Sequence, residues 1–219
     1  MEDESIPKLS ASLSVDPPTH SFTNPQAPNL NLTITSHYPD AITIYADDLS
    51  PRLMLVCGAF IITDLTTGSE VPQSKRTSCR IPPPTKVAVP LPEHLFYTLF
   101  PGTRITLSAP FSRRRPSTGG KPLAKDDPSY ASDIFAKHGA CGVDGLEPGH
   151  RYALSLASGP RVHWKTIRWW EYGTKEEVLR ADDEGGRLDG RRVKWGRGPH
   201  EPIEVETAGI GVVEFECRG

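Results

Sequence analysis

The stretch Leu9-Ser10-Ala11-Ser12-Leu13-Ser14-Val15 places Leu9, Ala11, Leu13 and Val15 on one side of an extended chain and Ser10, Ser12 and Ser14 on the other. A period of two marks a strand with one face in a core and one in water, because successive Cβ atoms of extended backbone point in opposite directions. Pro17-Pro18 ends it. The same rhythm returns with Leu30, Leu32 and Ile34 against Asn31, Thr33 and Thr35, and again with Ile42 and Ile44 against Thr43. Residues 36–40 read as the turn between these two runs.

Working outward, strands are expected over 59–65, 86–91, 103–107, 151–156, 167–172, 203–206 and 211–217. Helix is confined to 95–99, to 129–137 opened by Asp126, Asp127 and Pro128, and to 175–179. The last carries a capping box, Thr174 with Glu177 three residues on. Two segments share the form L-x-P-G-x-R-x-x-L-S, beginning at Leu99 and Leu146. Pro presets φ and Gly accepts positive φ, so each reads as a type II turn feeding a strand. These elements predict an all-β, two-sheet antiparallel sandwich with long loops, formed by residues 1–219 as one domain. Pro 22 and Gly 19 fit many turns and short elements.

Formal charge is -2, with 25 basic and 27 acidic residues, so any attraction to nucleic acid has to be local. The acidic start, Met1-Glu2-Asp3-Glu4-Ser5, leads into no export-signal pattern, and nowhere do about 18 apolar residues follow one another. The expectation is a cytoplasmic protein with no membrane partner. Cys57, Cys79, Cys141 and Cys217 are then reduced thiols. His138 and Cys141 are spaced to chelate, but no second pair matches them, so neither a metal nor another cofactor is expected. Asp47, Asp48 and Asp64 admit a cation site, and equally the capping of turns at strand ends.

No G-x-S-x-G, P-loop, H-E-x-x-H or dinucleotide-binding pattern is present. The densest chemistry lies in His163-Trp164-Lys165-Thr166-Ile167-Arg168-Trp169-Trp170-Glu171-Tyr172, which gathers three of the four tryptophans. As one strand it would set rings on both faces, one for the core and one either packed under loops or forming a pocket. In such a pocket His163 and Glu171 are the acid–base candidates, with Trp164, Arg168 and Trp170 holding substrate. Two basic loops, 112–127 and 182–198, supply Arg113, Arg114, Arg115, Arg187, Arg191, Arg192, Lys194, Trp195 and Arg197. Arginines around an indole suit a phosphate backbone and a stacked base, and equally a solvated loop paired with Asp182, Asp183, Glu184 and Asp189.

Leu146-Glu147-Pro148-Gly149-His150-Arg151-Tyr152 resembles the loop before strand F of fibronectin type III and immunoglobulin-like sandwiches. That resemblance implies a tyrosine corner, with the Tyr152 hydroxyl satisfying backbone a few residues upstream. From its opening strand to residues 169–179 the chain also resembles a large group of filamentous-fungal proteins, which implies a fungal, intracellular setting. In size, setting and lack of known motifs it is similar to the fungal arginine-containing cyclodipeptide synthases. This similarity implies aminoacyl-tRNA as partner, the basic residues on its backbone, Glu171 or Asp183 on the substrate guanidinium, and His163 or Tyr172 shuttling a proton. Two other readings stay open: a noncatalytic protein- or peptide-binding module, and a cofactor-free cyclase or isomerase acting on a polyketide or terpenoid.

Overall fold

A computed structural model describes residues 6–24, 26–46, 49–72, 86–88, 93–111, 145–157, 165–179, 192–194, 200–207 and 209–219. Strands dominate them. In chain order they are β1 (Leu9–Asp16), β2 (Thr19–Ser21), β3 (Asn29–Ser36), β4 (Ile42–Tyr45), β5 (Phe60–Asp64), β6 (Lys86–Ala88), β7 (Phe96–Leu99), β8 (Arg104–Pro110), β9 (Arg151–Leu156), β10 (Thr166–Ile167), β11 (Trp170–Tyr172), β12 (Arg192–Lys194), β13 (Ile203–Glu206) and β14 (Val213–Arg218). Two short helices, α1 (Pro51–Cys57) and α2 (Lys175–Val178), accompany them.

The opening alternation does the work its chemistry implies. β1 pairs antiparallel with β3 in a register that sets Ala11 opposite Ile34, Leu13 opposite Leu32 and Val15 opposite Leu30. Leu30, Leu32 and Ile34 are fully buried, and each contributes about 1.5–3 kcal/mol of apolar burial. A one-residue slip would turn all of them to solvent, so the hydrophobic pattern itself holds the register. The five-stranded sheet runs β10-β13-β1-β3-β8, a four-stranded sheet runs β2-β14-β9-β5, and a three-stranded sheet runs β11-β4-β7. One core joins all three, drawing Leu32 from β3, Ile44 from β4, Ile62 from β5, Leu154 from β9, Trp170 from β11, Val205 from β13 and Phe215 from β14.

Both Pro-Gly turns form. Gly102 (φ 66°) and Gly149 (φ 87°) occupy the left-handed region, which side-chain-bearing residues adopt only at a cost. Each glycine N–H donates to a strand of the sheet that its turn enters, Gly102 to Ser36 O (3.1 Å) and Gly149 to Cys217 O (2.7 Å). The second turn leads into Tyr152, whose hydroxyl accepts from Glu147 N–H at 2.7 Å. Its ring stacks on the cross-strand partner Phe215 at 5.4 Å. The Thr174–Glu177 capping box is also in place, both reciprocal bonds made.

The sheets depart from the expected two antiparallel layers: the described strands form four sheets, a two-stranded β12-β6 sheet standing beside the three above, and β1 pairs with β13 and β14 with β2 in parallel. β12 lies within the stretch 182–198, expected to be a loop. Three further features depart locally from expectation. Residues 95–99 form no α-helix: a 3-10 turn, Glu93–Leu95, leads into β7, which pairs with β4. Leucines four apart mimic a helical face, but the intervening Phe96, Tyr97 and Thr98 favour extended backbone and find a buried strand to pair with. Residues 167–172 are not one strand, because the chain changes sheets between β10, paired with β13, and β11, paired with β4. Ile167, Trp169 and Trp170 are all buried, Ile167 and Trp170 in the main core and Trp169 in a separate cluster with Phe96. The third is α1, signalled by Pro51 in its first turn and by Gly58 (φ 71°) as its left-handed cap. It buries Met54 and Leu55. The helix expected over 129–137 lies outside the described residues.

Candidate functional site

β11 is fastened to β4, with Trp170 opposite Ile44 and Tyr172 opposite Ile42. The Trp170 ring sinks into the core, and its Nε1–H donates to Glu201 O at 2.7 Å. That bond ties the chain entering β13 against β11 and carries His200 with it. The His200 ring lies on the Trp170 indole (centroids 4.4 Å, 30° apart) and meets Tyr172 edge-on at 5.0 Å. Tyr38 flanks Tyr172 at 5.8 Å.

Glu171 curls back along its own strand, where Oε1 accepts from Tyr172 N–H at 3.1 Å and lies 2.8 Å from His200 Nε2. Both side chains are partly open to solvent, 29% for Glu171 and 22% for His200. A carboxylate at Nε2 favours the proton there and leaves the Nδ1 lone pair as a base. The assembly therefore has a base, a carboxylate that orients it, and an aromatic wall, the parts needed to take a proton from one atom and return it to another.

The structure thus brings together Trp170, Glu171 and Tyr172 of the residues singled out from sequence. Arg168 is half-buried in the connection between β10 and β11. Trp169 leaves the group for a second cluster with Phe96, Val178 and Leu179, meeting Phe96 edge-on at 4.9 Å. Arg192 and Lys194 belong to β12, which pairs with β6. His163, Trp164, Asp183, Arg113, Arg114, Arg115, Arg187, Arg191, Trp195 and Arg197 lie outside the described residues, as do Asp47, Asp48, His138 and Cys141. His200 was missed. It stands 29 positions from Glu171 in a Gly-Pro-His-Glu-Pro context with no periodicity, and only the Trp170–Glu201 bond reveals its place.

A second polar centre is structural. Asp64, at the end of β5, accepts from Thr66 N–H (2.8 Å) and Thr67 N–H (3.3 Å), and its other oxygen lies 2.8 Å from His150 Nδ1. Burial opposes its charge, but His150 and the Thr66 and Thr67 donors outweigh burial and hold the carboxyl at about 2. The pair joins the 64–70 hairpin to the turn before β9. Nearby, burial raises the Tyr152 hydroxyl above its ordinary value, against the lowering effect of the Glu147 backbone bond. Buried Cys217 lies 4.0 Å from His20 Nδ1. Among the described residues no three His, Cys, Asp or Glu side chains converge as metal ligands, and no helix is long and apolar enough to cross a membrane. Neither a scan of protein-family models nor a search of curated proteins returns a match to this chain.

Proposed function

We propose that the chain is an immunoglobulin- or fibronectin III-like sandwich bearing a cofactor-free acid–base site, and that it acts as a cyclase or isomerase on a small polyketide- or terpenoid-type molecule. The sandwich is supported by the Tyr152 corner and by five- and four-stranded sheets contributing to one core. The chemistry is carried by one observation, the 2.8 Å contact between Glu171 and His200 on the Trp170 and Tyr172 rings. In this reading His200 Nδ1 removes a proton, Glu171 stabilises the imidazolium, and the same proton returns at another position of the substrate. No electrons are exchanged with an outside partner. The rings supply a surface for an unsaturated skeleton.

A more specific second reading is tRNA-dependent formation of an arginine-containing diketopiperazine. It draws on Arg192 and Lys194 standing together in β12, and it requires Glu171 or Asp183 to meet a substrate guanidinium. Expression of the chain in a heterologous host with untargeted metabolite profiling tests both. A new redox-neutral product that disappears in Glu171→Gln and His200→Gln supports the first reading. Arginine-bearing cyclic dipeptides that disappear when Arg191, Arg192 and Lys194 become alanine support the second. A profile identical to the empty host overturns both and favours a noncatalytic binding module.

A further inference from the structure

We infer that two copies of the chain pair edge to edge through β8, antiparallel about Leu107, so that their five-stranded sheets continue into one another. β8 ends its sheet among the described strands and is 7 residues long. The other strands at the ends of the three larger sheets offer a partner less. β10 has 2 residues, β2 and β11 have 3 and β7 has 4. β5 is already covered, because Asp64 N–H donates to Ser69 O and Val71 N–H to Ile62 O. An open edge is a row of unmet N–H and C=O groups, which proteins ordinarily blunt with charge, proline or a covering segment. β8 carries its one charge and its one proline at its two ends, Arg104 and Pro110, and keeps the exposed Thr106 and Ser108 between them.

The pairing with β3 fixes which backbone groups face outward. Phe111 N–H donates to Pro28 O, so in an alternating ladder Ala109, Leu107 and Ile105 also bond β3, while Arg104, Thr106, Ser108 and Pro110 turn their backbone groups away from it. With Leu107 set opposite Leu107 of a second copy, Thr106 and Ser108 exchange both backbone bonds on either side of the two-fold axis, and Arg104 N–H meets Pro110 O. Pro110 has no N–H to leave unmet. This register pairs the whole strand. A slip of two residues leaves strand ends unpaired, and a slip of one sets outward groups against inward ones. The side chains match as well. Thr106 and Ser108 already bond hydroxyl-bearing and amide neighbours on β3, Thr33 at 3.0 Å and Asn31 at 2.6 Å, and across the axis they form a further Thr–Ser pair. Half-buried Ile105 faces Ala109, and the two Arg104 side chains stand at opposite ends of the seam. That self-match selects a second copy over an unrelated peptide, because a two-fold interface needs one patch complementary to itself.

Sedimentation equilibrium and amide exchange of the nitrogen-15-labelled full chain test the pairing. One strand seam is a small interface, so Kd should lie at about 10–100 µM, and the Thr106 and Ser108 amides should exchange about four- to sixfold more slowly at about 1 mM than at about 20 µM. The Leu107 and Ala109 amides, directed to β3, should be protected at both concentrations. Ser108→Pro, which an edge strand accepts where its N–H points outward, should weaken the dimer at least about tenfold. The dispersion of the remaining amide shifts shows whether the variant is folded. Thr106→Lys and Ser108→Glu should each raise Kd about two- to fivefold, and the double variant, which sets Lys against Glu across the axis, should return it to within about twofold of the wild type. A monomer at the higher concentration, Thr106 and Ser108 amides that exchange equally at both, or a dimer that Ser108→Pro leaves intact overturns the inference. A double variant that dimerises no better than its singles overturns the register about Leu107.

Discussion

Asp64→Asn should convert a pH-dependent part of the stability into a constant. The folded carboxyl sits at about 2 against an ordinary 3.8, so its stabilisation is present above the unfolded value and is lost as pH falls through the folded one. The difference amounts to at most about 2 kcal/mol at pH 7, roughly 1 kcal/mol at pH 3 and a few tenths at pH 2. The asparagine amide would keep an oxygen for Thr66 and Thr67 but lose the charge facing His150, so the wild-type advantage should follow the same curve. Urea unfolding of both proteins at several pH values measures it, and subtracting one profile from the other cancels every other carboxylate. A gap that stays constant between pH 7 and pH 2.5, or widens as pH falls, would refute the assignment of the shift to the His150 and turn contacts.

Tyr152→Phe removes the acceptor of Glu147 N–H, and because Glu147 is exposed, water recovers part of the loss; a cost of about 1 kcal/mol is expected. For a chain of this size that lowers Tm by roughly 2–4 °C, measurable by calorimetry. Thr174→Ala removes the hydroxyl that accepts from Glu177 N–H in the capping box and should cost about 0.5–1 kcal/mol. Faster hydrogen exchange at the Glu177 and Val178 amides, with exchange in β1 and β3 unaltered, is the expected signature.

How much was legible depended on whether the signal was local. The β1 and β3 alternation, the two Pro-Gly turns and the Thr174 capping box each lie within a few residues, and each is found in place. The break between Ile167 and Trp170 was invisible because it is caused by two different strands, β13 and β4, each claiming part of the segment. Phe96 and Leu99 are both buried, a spacing that suits a helix, yet pairing with β4 decides for strand. Glu171 and Tyr172 were singled out because tryptophans surround them. His200 was not, because its proximity is created by the fold and its own neighbours carry no pattern.

The most direct measurement is a rate cycle on the product made by the wild type, Glu171→Gln, His200→Gln and the double variant. If the two side chains form one acid–base unit, each single substitution should lower the rate by about 10²–10⁴-fold, and the double should be no slower than the worse single. Losses that multiply in the double variant, or singles that work at the wild-type rate with the fold intact, would contradict the account.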